Sequence, residues 1–306
     1  MNTPARPLHR LVRAAPVLVL CGLAACGGGG SSSGDTPLND TTAPTLNGLV
    51  VTQTAAGVAT LVPSATDAVG VTGWCFKTSA TKPAATDACF QAAAQQTVTL
   101  SPTSTATYMW ARDAAGNVSE ALTGPACSAA GWAAAAASTL PAVCMLTSLG
   151  EMVFTLESVK APVTAANFLK YVRDGFYGGT VFHRVVSNFV VQGGGFTFAS
   201  NTYTTKNAPY AAIKLEPPAT TGLSNLTGTL AMARTSVLDS ATSQFYVNLV
   251  DNSTLDTTGG GYAVFGTMAS GASTLAAIKA VPVVANGSEL SLPTTPPVVL
   301  WAVQIR

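Results

Sequence analysis

An arginine in an apolar setting is the first candidate for chemistry in this chain. Arg184 lies between Phe182 and the apolar pair Phe189 and Val191, and Gln192 follows it by eight positions. A guanidinium group keeps its charge in proteins, so it is seldom buried unless another group uses its N–H donors. The spacing leaves two interpretations open. Arg184 either donates hydrogen bonds in a reaction, or lies partly exposed at a strand end with its stem over apolar neighbours.

Three separated motifs, the first of which contains Arg184, help to decide between these two interpretations. They are FHRVVSNFVVQGG at 182–194, GTLAMAR at 228–234 with SQFYVN at 243–248, and LDTTGGGYAVFG at 255–266. Their content and order resemble the cyclophilins, a family of peptidyl-prolyl cis-trans isomerases. The resemblance covers about residues 142–306. It implies a mainly β fold, with a closed eight-stranded antiparallel barrel and two helices that cover its ends.

The resemblance also implies an activity and a set of site residues. The activity is rotation about X-Pro peptide bonds, which needs no cofactor and no metal. Arg184 would donate to the proline nitrogen, and Gln192 would position Arg184 or the swinging carbonyl oxygen. The substrate-binding residues would be Phe189, Val190, Tyr246 and Leu255 around the proline ring, Ala233 and Arg234 through backbone groups, Gln244 beside them, and Tyr262 where many cyclophilins carry a histidine. For each position, ordinary packing in the barrel is the alternative.

Periodicity places helices and strands in residues 142–306. The segment GEMVFTLE alternates apolar and polar residues, which predicts a strand. A helix is predicted from Thr164, as its N-cap, to Asp174, with Gly175 as the residue that ends it. A second short helix is predicted over 273–281.

The first 25 residues have the pattern of an export signal. Basic residues precede the apolar stretch AAPVLVLCGLAA, which is too short to span a membrane. The Leu-Ala-Ala that precedes Cys26 resembles a bacterial lipobox and implies cleavage before Cys26 and lipidation of its sulfur. An ordinary secretory signal with an incidental cysteine is the alternative. Residues 26–42 would then form a lipid-anchored Gly/Ser tether. In lipoproteins of this kind, a glycine such as Gly27 after the cysteine, rather than an aspartate, implies that the protein is carried to the outer membrane.

Residues 43–125 are predicted to form a separate all-β domain. Thr and Val alternate in short runs between turn residues, and YMWARDAAGNVSEAL at 108–122 resembles the closing hairpin of bacterial immunoglobulin-like repeats. The resemblance implies a small β-sandwich, in which Trp74 would pack on a nearby disulfide. A spacer or docking role is favoured over a binding function.

Apart from Cys21 in the predicted signal peptide and Cys26, the chain has four cysteines, which fall in two close pairs, Cys75 with Cys89 and Cys127 with Cys144. An even number in an exported chain favours disulfides, and pairing of neighbours is favoured among the three possible pairings. A metal site is the competing interpretation, but the chain has only two histidines and no Cys-x-x-Cys motif. Residues 126–141 would be a linker whose alanine run favours helix.

Composition excludes one class of partner. Charged residues make up 9% of the chain and its formal net charge is +1, so no basic surface for nucleic acid is expected. The expected partners are proline-containing unfolded or partly folded polypeptides. The protein itself is expected to be a monomer that is anchored to the outer membrane and faces the periplasm. Two other hypotheses remain: a chaperone that binds proline-containing chains without turnover, and a surface-binding lipoprotein that acts through residues 43–125.

Overall fold

The computed structural model describes residues 40–287 and 289–306. The predicted signal peptide, the lipidation site Cys26 and nearly all of the predicted tether lie outside these residues. Residues 43–125 and 142–306 belong to one compact unit. Among the helices of the described part, none is long and apolar enough to cross a membrane.

The N-terminal part of this unit consists of two antiparallel three-stranded sheets. Branched Thr and Val side chains favour strands because they pack well on a pleated surface. The strands are β1 (Thr45–Ala55), β2 (Val58–Thr66), β3 (Val71–Lys77), β4 (Gln96–Thr99), β5 (Tyr108–Asp113) and β6 (Leu122–Thr123). One sheet has the order β1-β2-β4 and the other β3-β5-β6. Leu61 of the first sheet and Met109 of the second are fully buried in one shared core.

A disulfide joins Cys75 on β3 to Cys89. Trp110 lies directly opposite Cys75 on β5 and packs in the same apolar cluster as the bridge. The prediction that Trp74 packs on this bridge is wrong. Adjacent residues of a strand point to opposite faces of its sheet, so Trp74 cannot share the face of Cys75.

The segment between the two regions contains the helix α1 (Ala129–Ala136). Ser128 caps this helix by accepting a hydrogen bond from the N–H of Gly131, and its hydroxyl donates to Glu151. A second disulfide, Cys127–Cys144, ties the start of the helix to the strand that follows. Both bridges have the neighbouring pairing that the sequence favours.

The C-terminal part is dominated by a curled antiparallel sheet of eight strands in the order β18-β7-β8-β15-β13-β14-β10-β9. Two hairpins, β11–β12 and β16–β17, lie outside this sheet. The strands in chain order are β7 (Ala142–Thr147), β8 (Gly150–Leu156), β9 (Phe182–Val185), β10 (Val190–Gly193), β11 (Phe196–Ala199), β12 (Thr202–Thr205), β13 (Thr229–Met232), β14 (Phe245–Asn248), β15 (Val264–Ser270), β16 (Val283–Asn286), β17 (Glu289–Pro293) and β18 (Val299–Gln304).

This sheet is open, whereas the sequence analysis expects a closed barrel. Near the edge strands β9 and β18, an isolated bridge joins Val181 to Val298, and the N–H of Phe182 donates to the C=O of Pro297. The N–H of Val299 donates to the C=O of Thr180, but these contacts do not form a continuous ladder between the two strands. Proline has no N–H, so Pro296 and Pro297 cannot continue a ladder along this edge.

Two helices pack on the eight-stranded sheet close to their predicted positions: α2 (Pro162–Arg173) and α4 (Ala272–Lys279). The short helix α3 (Pro218–Thr221) and 3-10 turns at Ser253–Asp256 and Thr258–Gly260 were not predicted. Phe168 of α2 and Ile278 of α4 are fully buried in the core of this sheet. The predicted N-cap is wrong: Pro162 occupies the first turn, to which its fixed φ is suited, and the Thr164 hydroxyl donates to Glu216 instead.

The two β regions share a hydrophobic core. Trp301 and Cys144 of the eight-stranded sheet lie in the same buried cluster as Leu61 and Met109. Gln53 of β1 is buried, and its amide accepts from the N–H of Gln304 at 2.6 Å and donates to the C=O of Gln304 at 2.9 Å. The N-terminal sheets are therefore packed against β18.

Candidate functional site

Nine side chains surround a cavity of about 190 Å³ beside the eight-stranded sheet. They are Arg184, Phe189, Val190, Gln192, Ala233, Arg234, Tyr246, Leu255 and Tyr262. Each was predicted as a site residue. The tenth predicted residue, Gln244, is not part of the lining and contacts the site through Gln192.

Strand register brings the central residues together. Gln192 of β10 lies directly opposite Arg184 of β9 on one side and Tyr246 of β14 on the other. Directly opposed residues of antiparallel strands project to the same face, with Cβ atoms about 5 Å apart. Arg184, Gln192 and Tyr246 therefore form one row across three neighbouring strands.

The guanidinium of Arg184 is held on one edge by a carboxylate. Its Nε–H donates to Oε2 of Glu289 at 2.7 Å, and its Nη2–H donates to Oε1 at 2.6 Å. Its Nη1 lies 3.5 Å from Oε1 of Gln192, and its Cζ lies 5.5 Å from the ring centre of Phe189. Arg184 is thus partly buried, paired and still part of the cavity wall.

Glu289 is the site residue that the sequence analysis missed. It lies 105 positions after Arg184, on a hairpin outside the eight-stranded sheet. The segment NGSEL around it contains an Asn-Gly turn pair, but nothing in it indicates a contact with Arg184.

The amide of Gln192 is fixed by Gln244. Its Nε2–H donates to Oε1 of Gln244 at 2.9 Å, which leaves Oε1 of Gln192 directed toward Arg184. The backbone C=O of Gln244 accepts from the N–H of Ala233 at 2.9 Å. The N–H of Ala233 is therefore already used within the protein.

An apolar slot lies beside these polar groups. Val190, Tyr246 and Val264 are almost fully buried in one cluster, and Phe189 and Leu255 pack against it. The hydroxyl of Tyr246 donates to Oδ1 of Asn225 at 2.8 Å, away from bulk water. Burial raises the pKa of Tyr246, so its hydroxyl stays protonated and the slot stays uncharged.

Arg234 supports the far wall of the cavity. Its guanidinium donates to the C=O groups of Gly259, Gly261 and Thr235, and it stacks 4.5 Å from the ring centre of Tyr262. These bonds hold the turn that carries Tyr262. The side chain of Arg234 thus positions the loop.

His183 stands apart from the cavity. Its ring packs 4.5 Å from the ring of Phe196, and it is not among the lining residues. Burial lowers its pKa to about 4, so the imidazole is neutral at physiological pH.

Similarity to known proteins agrees with this geometry. Residues 142–300 match the family model for cyclophilin type peptidyl-prolyl cis-trans isomerases. The chain is 46% identical over 164 residues to a peptidyl-prolyl cis-trans isomerase of Acinetobacter baylyi, which covers 53% of this chain and 84% of the relative. It is 42% identical over 152 residues to peptidyl-prolyl cis-trans isomerase B of Escherichia coli, which covers 48% of this chain and 89% of the relative.

A crystal structure of a cyclophilin type isomerase from Cryptosporidium parvum, determined in the presence of the dipeptide Ala-Pro, is 22% identical to this chain. The match covers 53% of this chain and 98% of the Cryptosporidium parvum chain, with a TM-score of 0.43. The family model, the relatives at more than 40% identity and the nine-residue cavity lead to one conclusion: the chain belongs to the cyclophilin family of peptidyl-prolyl cis-trans isomerases.

Proposed function

We propose that the protein catalyses cis-trans isomerisation of X-Pro peptide bonds, with proline-containing polypeptides as substrates. The observation that carries this proposal is the Arg184 guanidinium in the wall of a cavity whose other side is an apolar slot. Such a cavity can hold a proline ring in the slot while the guanidinium faces the imide bond.

The reaction requires the amide to lose its conjugation. The rotation barrier of a peptide bond is about 18–20 kcal/mol, because the nitrogen lone pair is delocalised into the carbonyl. In the twisted transition state this lone pair is localised on nitrogen and accepts a hydrogen bond well. A donor that binds the twisted form better than either planar form lowers the barrier, and lowering it by about 7 kcal/mol accelerates rotation about 10⁵-fold.

Arg184 can supply this donor. Its Nε and Nη2 face Glu289, whereas its Nη1 lies on the side of Gln192, another residue of the cavity wall. A guanidinium remains charged throughout the reaction, so donation involves no proton transfer. The Gln192 amide can orient Arg184 through Oε1, and its nitrogen, which donates one hydrogen to Gln244, has a second N–H for the moving carbonyl group.

A protease-coupled assay on an Ala-Pro peptide tests this function. Removing one preorganised donor typically costs a factor of about 10²–10³ in rate, so Arg184→Ala should lose that much turnover while peptide affinity changes little. Arg306→Ala, which alters an exposed arginine at the C-terminus, is the control. Peptide binding without acceleration by the wild type would favour the proline-binding chaperone instead.

We further infer that the protein acts in the bacterial cell envelope on exported proteins. The lipobox-like sequence before Cys26 supports a lipid anchor, and Gly27 supports the outer membrane, facing the periplasm. The disulfides Cys75–Cys89 and Cys127–Cys144 support an oxidising compartment. Mass spectrometry of the envelope-purified protein tests the anchor: we expect a diacylglyceryl N-terminal Cys26, and an unmodified N-terminus elsewhere in the chain would contradict it.

We also propose that residues 43–125 form an immunoglobulin-like β-sandwich. Two three-stranded antiparallel sheets with a common core and one internal disulfide support it. Because this core continues into the eight-stranded sheet, we propose that the sandwich holds the isomerase region in a fixed orientation beyond the tether.

A further inference from the structure

Glu289 reaches the catalytic site from outside the eight-stranded sheet. It begins strand β17 of the hairpin β16–β17. Its two carboxylate oxygens accept from two different nitrogens of Arg184, at 2.6 and 2.7 Å. Two parallel bonds fix both the position and the plane of a guanidinium, which a single bond does not.

The ion pair does not remove Arg184 from the cavity. Arg184 lines the cavity while its Nε and Nη2 edge is paired. Its side chain keeps 25% of its surface exposed, and that of Glu289 keeps 37%. The Nη1 nitrogen lies 3.5 Å from Oε1 of Gln192, another residue of the cavity wall, so the pairing with Glu289 leaves this edge of the guanidinium for substrate.

The carboxylate is charged under working conditions. Its hydrogen bond with Arg184 holds the pKa of Glu289 below its usual range. The groups around Arg184 differ in charge: Glu289 on the hairpin is negative, whereas Gln192 and its partner Gln244 on the sheet side are neutral. The only charged partner in direct contact with Arg184, among the described residues, is therefore Glu289.

We propose that Glu289 is a positioning residue for the isomerase reaction, holding the Arg184 guanidinium in the plane from which Nη1 donates to substrate. This inference rests on the proposed function. A free arginine side chain samples many rotamers, and small displacements of a catalytic group cause large losses in rate. Holding one edge in a bidentate pair removes this freedom on the side away from the reacting bond.

The test compares Glu289→Gln and Glu289→Ala with the wild type, in the full chain, by kcat and KM on an Ala-Pro peptide. We expect kcat to fall about 3-fold for Gln, which keeps one acceptor, and about 10-fold for Ala, with KM within about 2-fold. In an Arg184→Lys background the same changes should have no further effect. Glu120→Gln removes a carboxylate from an exposed ion pair with Lys82 and serves as the control.

An NMR measurement tests whether Glu289 positions Arg184 or only supports the fold. The Nε–H of Arg184 should give an NMR signal protected from exchange in the wild type and in Glu120→Gln, and lose this protection in Glu289→Ala. Unchanged or increased kcat in both Glu289 variants, with an active wild type, would overturn the inference alone; an increase would identify Glu289 as inhibitory. An inactive wild type would instead refute the proposed function and this inference together.

Discussion

Gln53 offers a direct test of the packing between the two β regions. Its amide bonds both the N–H and the C=O of Gln304, at 2.6 and 2.9 Å, and the residue is 7% exposed. Gln53→Met keeps the length of the side chain and removes both hydrogen-bonding groups. The C=O of Gln304 would still accept from the N–H of Gly57, but the N–H of Gln304 would lose the side-chain oxygen to which it donates.

The expected loss follows from these contacts. An unsatisfied buried N–H costs about 1–3 kcal/mol, and the second lost bond adds about 0.5–1.5 kcal/mol. We therefore expect the free energy of unfolding to fall by roughly 2–4 kcal/mol. Urea denaturation followed by tryptophan fluorescence measures it, because Trp74 and Trp110 report on the N-terminal sheets and Trp301 on the C-terminal sheet.

A second glutamine on the N-terminal sheets provides the control for Gln53→Met. Gln96→Met changes an exposed glutamine of β4 that bonds only its neighbour's carbonyl, so its effect should stay within about 0.5 kcal/mol. A loss this small for Gln53→Met, or separate transitions for the two regions in the wild type, would refute the shared core.

Two further predictions concern residues near the cavity. Tyr246→Phe removes the hydrogen bond to Oδ1 of Asn225, which still accepts from Asn248 at 3.2 Å. The free energy of unfolding should therefore fall by about 1 kcal/mol, while kcat/KM stays within about 3-fold of the wild type. A large loss of kcat/KM would show that the hydroxyl acts in the reaction. His183 has its pKa lowered to about 4 by burial, whereas the unfolded chain binds a proton near pH 6.5. The neutral imidazole therefore contributes to stability above pH 6.5, and this contribution is lost as the pH falls toward 4. In thermal melts, the wild type should lose stability more steeply than His183→Gln over this range. Parallel profiles of stability against pH for the two proteins would contradict the buried neutral imidazole.

Parts of the site that depend on local sequence could be predicted. The motif at 182–194 contains both Arg184 and Gln192, and the following motifs contain Tyr246 and Tyr262, so family resemblance placed them in one cavity. The helix at 162–173 could be recognised from apolar spacing, although its predicted start at Thr164 falls two residues after the proline that begins it.

Features that depend on distant contacts could not be predicted. Nothing around Glu289 marks it as a partner of Arg184, since the pairing exists only where the hairpin β16–β17 meets β9. Alternation predicts which faces of β1 and β18 are apolar but not that they share a core. The open edge of the eight-stranded sheet likewise follows from where Pro297 falls opposite Phe182, a register that the sequence does not reveal.

The most direct test of the central claim is exchange NMR of an Ala-Pro peptide, in which cis and trans signals report their interconversion without a coupling protease. Arg184→Lys keeps the positive charge but replaces the planar fork with a single ammonium group. The account predicts rapid exchange with the wild type and at least about a 100-fold slower catalysed exchange with the lysine variant. Exchange within a few-fold of the wild type would show that the Arg184 guanidinium is not the group that drives rotation.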